Sequence, residues 1–164
     1  MVGSVCLFLL STGARLNEAL SASWEHFDLE HQNWTIPSEH SKSRKIRSIP
    51  LNRTAIQILE GLGTRDKFDH PFIGRRGKPL TTINRGWYRL RSEAGLDFLR
   101  LHDLRHNYAS FLINSGRTLY DVQKILGHSD PTVTQRYAHL STKSLQAAAD
   151  SAGDIINAAM PESP

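Results

Sequence analysis

Apolar side chains recur at helical spacing over most of the chain and alternate at strand spacing only between Trp34 and Leu51. The run Val2 to Leu10 is apolar enough to predict a buried helix, broken by Ser11-Thr12-Gly13. A second helix is predicted from Ala14 to about Trp24, with Leu16, Leu20 and Trp24 on its buried stripe. Arg15 and Glu18 fall off that stripe, on a face able to line a cleft. Trp34-Thr35-Ile36 and the stretch from Ile46 to Leu51 read as two strands of an antiparallel hairpin, because Ile46, Ser48 and Pro50 alternate with Arg47, Ile49 and Leu51. Ser41-Lys42-Ser43-Arg44 stands at or near its tip, and Pro71-Phe72-Ile73 is the expected third strand.

Asn52 is placed to cap a helix whose Ile56, Leu59 and Leu62 face inward, ending near Gly61 or Gly63. Thr81 or Thr82 caps the next, which runs through Ile83, Trp87, Leu90 and Ala94 to Gly95. Three more helices are expected. The first buries Leu104, Tyr108, Phe111 and Leu112 and closes at Ser115-Gly116. A capping box of Thr118 and Asp121 opens the second, which buries Leu119, Val122, Ile125 and Leu126 and ends at Gly127. Asp130-Pro131 starts the third and puts Tyr137 about two turns in. The expected fold class is α+β, mainly α-helical, with one small three-stranded antiparallel sheet.

The length of 164 residues suits one domain with a hydrophobic core. The formal charge of +4 hides a strong asymmetry: residues 1–40 balance at −4, residues 41–91 at +10 and residues 92–164 at −2. A basic middle third favours a polyanionic partner, since Lys and Arg that neutralise phosphates release condensed counterions, although a solvated basic face fits the charge equally well. The single Cys6 rules out an internal disulfide and points to a reducing cytoplasmic compartment. The opening apolar run falls well short of the ~20 residues that cross a bilayer, and it lacks the basic flank of a signal peptide. No membrane partner is expected.

Apart from Lys42, the candidate chemistry lies outside the basic third. His102 and Arg105, at i and i+3, project to one side of a helix, where a proton-handling group and a fixed cation meet one substrate. His128 follows a helix end, and Tyr137 comes nine residues later. A phenol near pKa ~10 is a poor nucleophile at neutral pH unless cations and a base stand beside it. Arg15, Lys42, Arg105 and His128 are candidates for those surroundings. A metal reading has little support among the eight histidines: no pair sits in an HExxH or CxxC arrangement, and His102 with His106 makes an incomplete ligand set.

Thr12-Gly13-Ala14-Arg15, Asn17-Glu18-Ala19-Leu20, Lys42 in a basic hairpin, His102-Asp103-Leu104-Arg105, Leu126-Gly127-His128 and Tyr137 stand in one order and spacing. In this the chain resembles the tyrosine recombinases, also called the phage integrase family, over residues 12 to 137. The resemblance implies the DNA breaking-rejoining enzyme fold and a site-specific recombinase that cleaves and rejoins DNA through a 3′-phosphotyrosyl intermediate, without cofactor, metal or ATP. Tyr137 would be the nucleophile, and Arg15, Arg105 and His128 would hold the scissile phosphate. His102 would take the tyrosine proton, Lys42 would protonate the leaving oxygen, and Glu18 would support Arg15. Serines flank Lys42 where the family often has glycines, and Lys45 is the alternative acid.

Arg44, Lys45, Arg47, Arg75, Arg76, Lys78, Arg85 and Arg89 are the expected DNA-gripping residues. Residues 1–140 would form the catalytic domain. Residues 141–164 would form a tail that either docks on a neighbouring protomer, through Leu145, Ile155, Ile156 and Met160, or folds back on its own domain. The family's N-terminal core-binding domain has no room in this length. Double-stranded DNA is the implied partner, with a tetramer on paired sites. The alternatives are a type IB topoisomerase and a DNA-binding remnant without turnover.

Overall fold

The structure, a computed structural model, describes residues 1–41, 44–128, 130, 132–138 and 142–159. Among these, helices α1 (Val2–Thr12) and α2 (Leu16–Leu20) precede strands β1 (Phe27–Asp28), β2 (Asn33–Ile36) and β3 (Arg47–Pro50). Then come α3 (Arg53–Gly61), α4 (Asn84–Glu93), α5 (Asp103–Asn114), α6 (Leu119–Leu126), α7 (Thr132–Gln135) and α8 (Thr142–Ala159). The class is the expected one, helical with a small antiparallel sheet.

α1 is apolar on several sides because it is the central post, packing against α2, α3, α4 and α5. Phe8, fully buried, meets the rings of Trp34 at 5.4 Å and Phe72 at 5.3 Å, and Ile36, Ile49 and Leu59 complete this main core. A smaller second cluster joins Ala109, Ile113, Val122, Leu126 and Tyr137. The chemistry-bearing residues lie where these two cores meet.

The sheet order is β1-β2-β3, with Phe27 opposite Trp34 and Trp34 opposite Ile49. The third strand is therefore Phe27–Asp28 and not Pro71-Phe72-Ile73. Phe27 stacks on Trp34 at 5.2 Å and fixes that edge. Ile73 makes only an isolated bridge to Pro79, as the backbone closes on itself through Gly74 N to Lys78 O and Leu80 N to Phe72 O. β3 keeps the expected alternation: Ile49 and Leu51 are buried, and Ser48 and Pro50 are exposed.

Four helices depart from the expected periodicity. α2 is five residues long, because the Glu18 carboxylate accepts the Arg15 N–H at its start and Trp24 N donates to Asp69 O beyond its end, pulling the chain out of helical register. In α4 the first half of the expected stripe, Ile83 and Trp87, is buried, while Leu90 and Ala94 are exposed. α5 buries Leu104, Arg105, Ala109 and Ile113 and leaves Phe111 57% exposed, since it turns to carry the Arg105 guanidinium inward. α7 spans only Thr132–Gln135, so Tyr137 sits just past its end, in a turn closed by Tyr137 N to Thr134 O. The caps at Asn52 and at Thr118 with Asp121 form as expected.

α1 stops at Gly13, whose φ of 64° lies in the left-handed region and whose N–H returns to Leu9 O. A methyl group there would land on the Tyr108 ring and within 2.7 Å of Leu126 Cδ2. Gly13→Ala is thus expected to lower stability by about 2–4 kcal/mol, combining backbone strain with overpacking. Urea unfolding of the two proteins checks this.

Candidate active site

Four separate segments deliver side chains to one cleft of about 340 Å³, lined by Arg15, His102, Arg105, His106, His128, Arg136 and Tyr137 among others. Arg15 arrives through the Gly13 turn. His102 arrives as the N-cap of α5 and Arg105 and His106 in its first turn, and His128 follows the left-handed Gly127 that ends α6. Arg136 and Tyr137 enter from the turn after α7.

The arginines are held from behind. Glu18, 2% exposed, accepts from Arg15 Nη1 at 2.9 Å and from Arg47 Nη2 at 2.6 Å. Arg105, 4% exposed, donates from Nη1 to Gly13 O at 2.6 Å and from Nη2 to Leu126 O at 2.7 Å. Burial, and then the neighbouring Arg15 and Arg47, push the Arg105 pKa down to about 9, which still leaves it charged at neutral pH. Such a cluster is short of anions, because one carboxylate faces three guanidiniums, and it favours a further negative charge in the cleft.

The imidazoles stay neutral in this field. Burial first, and then Arg105 and Arg15, bring His128 down to about 4. Its Nδ1 lies 2.9 Å from Thr134 Oγ1, and with the hydroxyl as donor Nε2 carries the proton as a neutral donor. Burial also lowers His102 and His106, with His106 next for the former and Arg136 for the latter. The Tyr137 hydroxyl, raised by burial, contacts His106 Nδ1 at 2.5 Å. A phenol, a neutral base and fixed cations thus share one pocket, the set needed for transfer at a phosphate ester.

Residues 3–144 match the model described as the phage integrase family. The chain belongs to that family. It is 34% identical over 158 residues to tyrosine recombinase XerC of Rickettsia prowazekii (strain Madrid E), covering 93% of this chain and 51% of that protein. It is 29% identical over 170 residues to the integrase of Salmonella phage P22, covering 96% of this chain and 44% of that one. The crystal structure of XerH site-specific recombinase bound to difH substrate, a pre-cleavage complex, superposes with a TM-score of 0.68 at 28% identity, over 90% of this chain and 45% of that one. The chain therefore spans about half the length of the curated relatives it matches.

In this phage integrase family chain Arg15, Glu18, His102, Arg105, His128 and Tyr137 come together as expected, with Glu18 behind the cleft. Lys42 lies outside the described residues. Arg47 departs from expectation. Its guanidinium points inward to Glu18 and to Ile125 O at 2.9 Å, so it serves the scaffold and not a DNA-gripping surface. The reason is its place on the inward face of β3, beside the space that Gly127 leaves open. Arg44, Lys45, Arg75, Arg76, Lys78, Arg85 and Arg89 are exposed and do not line the cleft. His106, Thr134 and Arg136 were missed. His106 carried a signal, because it stands one helical turn after His102, whereas Thr134 and Arg136 depend on the short α7 turn.

Removing the shared carboxylate should uncover buried like charges. Glu18→Ala is expected to destabilise the fold by about 3–5 kcal/mol. Adding Arg47→Met should restore part of that loss, and chemical denaturation of the single and double variants measures both.

Proposed function

We propose that this chain is the catalytic part of a site-specific DNA recombinase that cuts and rejoins strands through a 3′-phosphotyrosyl link. The observation that carries the reading is the placing of the Tyr137 hydroxyl in one cleft with Arg15, Arg105 and His128. The phenolic oxygen bonds to the scissile phosphorus as the bond to the 5′-oxygen breaks. Arg15, Arg105 and the neutral His128 hold the non-bridging oxygens, where charge accumulates in the transition state. Lys42 protonates the departing 5′-oxygen, and a histidine of α5 receives the phenolic proton. Because the link conserves the phosphoester, the reverse attack by a 5′-hydroxyl reseals a strand without ATP.

Double-stranded DNA is the substrate in this reading, gripped outside the cleft by Arg44, Lys45, Arg75, Arg76, Lys78, Arg85 and Arg89. The relatives named for recombination, and XerH bound to difH, support it. Residues 1–140 act as the catalytic unit, and the tail from residue 141 docks on a neighbouring copy in a tetramer on paired sites. Within that tail Ile155 is 70% exposed and available, while Met160 and the side chains of Leu145 and Ile156 lie outside the described residues. No described helix is long and apolar enough to cross a membrane, and the protein is read as DNA-associated in the cytoplasm.

Two outcomes test the reading. Incubation in EDTA with a library of nicked duplexes, randomised around the scissile position, should trap a covalent protein–DNA adduct on a denaturing gel. Tyr137→Phe should abolish it; an adduct that survives in that variant refutes the nucleophile, and salt-sensitive DNA retention without any adduct favours a binding remnant. For the grip, Arg85→Gln with Arg89→Gln should flatten the slope of log affinity against log salt by roughly 1 per lost phosphate contact. Adduct formation at saturating DNA should stay near the wild-type rate.

A further inference from the structure

Among the described residues, the imidazole in contact with the Tyr137 hydroxyl is that of His106. Nδ1 of His106 lies 2.5 Å from Tyr137 Oη, while His102, the residue expected to take the proton, stands behind it with its ring edge-on to the His106 ring at 4.8 Å. His106 is half-buried, and its ring centroid lies 6.1 Å from that of Tyr137. Tyr137 itself is only 6% exposed, so the hydroxyl is bonded within the protein rather than left to water.

Resting on the reading of Tyr137 as nucleophile, we propose that His106, not His102, holds the Tyr137 hydroxyl and takes its proton during strand cleavage. The protonation states fit the geometry. Burial and then Arg136 lower His106, with Arg100 and Arg105 adding to the shift and Asp103 opposing it, so the ring is neutral at pH 7. Burial raises Tyr137, so the phenol keeps its proton until it reacts. A neutral imidazole accepting at Nδ1 carries its own proton at Nε2, which makes Nδ1 the open position.

In cleavage the Tyr137 oxygen bonds to phosphorus, the bond to the 5′-oxygen breaks, and the phenolic proton passes to His106 Nδ1 to give an imidazolium. The 5′-oxygen takes its proton from the general acid, Lys42 in the reading above. On resealing, the 5′-hydroxyl oxygen bonds to phosphorus and gives its proton back to the neutral Lys42 amine, while the tyrosine leaves phosphorus and recovers its proton from His106. His102, exposed at the mouth of the cleft, is thereby freed to donate to a phosphate oxygen.

Single-turnover adduct formation on the nicked library, measured from pH 5 to 9 with the 164-residue chain, tests the assignment. His106 sits below its ordinary value of 6.5, so the wild-type rate should be flat above neutral pH and fall as the pH drops through that lowered pKa and the base becomes protonated. His106→Gln keeps an acceptor for the hydroxyl but cannot take a proton. It should slow adduct formation at pH 7 on the order of 100-fold and convert the flat region into a rate that climbs with pH. His102→Gln should slow the reaction yet keep the wild-type shape.

A wild-type profile in His106→Gln, or a climbing profile only in His102→Gln, overturns the proposal. Nitrogen NMR of the free protein gives a reading independent of turnover: His106 should be the Nε2–H tautomer, with its Nδ1 resonance moving in Tyr137→Phe. An unmoved resonance also counts against the contact. Absence of any adduct in the wild type is the separate signature that the nucleophile reading itself has failed, and it removes the proposal with it.

Discussion

One buried carboxylate carries the arrangement of the whole candidate site. Glu18 binds the Arg15 backbone N–H, the Arg15 guanidinium and the Arg47 guanidinium together. It thereby sets the start of α2, the direction of the Arg15 guanidinium and the attachment of β3 to the rest of the molecule. Its charge does not neutralise the cluster, because Arg105 adds a third guanidinium whose partners are only backbone carbonyls. The residual positive field is directed at the open side of the cleft. It adds to burial, the main cause, in holding the three imidazoles there neutral: a protonated ring would be poorly solvated and would add a further like charge to a site already in excess.

The candidate site was more legible in the sequence than the fold around it. Arg15, His102, Arg105, His128 and Tyr137 could be picked out because the ordered set of motifs that carries them resembles the tyrosine recombinases, and they do share one cleft. Periodicity served for α1, α3 and α6, whose ends coincide with strong local signals: the Gly13 and Gly127 turns and the Asn52 and Thr118 caps. It failed where a long-range polar contact decided the outcome. The truncation of α2 depends on a hydrogen bond from Trp24 to Asp69, and the rotation of α5 depends on carbonyls of α6 and the Gly13 turn. Neither partner is readable from spacing.

Arg47 shows the same limit for charge. Counting bases along the chain identifies a positive middle third but treats every arginine as outward-facing. The strand alternation already sets Arg47 on the face of Ile49 and Leu51, and the pairing opposite Ile36 shows that this face is the interior one. The basic third therefore contains both a solvent-facing surface and a buried tie-bar, two roles that a segment sum cannot separate.

The carbonyl anchors of Arg105 also bear on the order in which the molecule becomes competent. The bond to Gly13 O spans 92 positions of the chain, and the bond to Leu126 O spans 21. Such distant contacts form late, after local helices and their loop closures. A nascent chain that has left the ribosome only as far as α5 contains both arginines and the α5 histidines but neither the α6 carbonyl that orients Arg105 nor Tyr137. Under the proposed reading, competence for strand cleavage would arise only once the chain has been made through Tyr137.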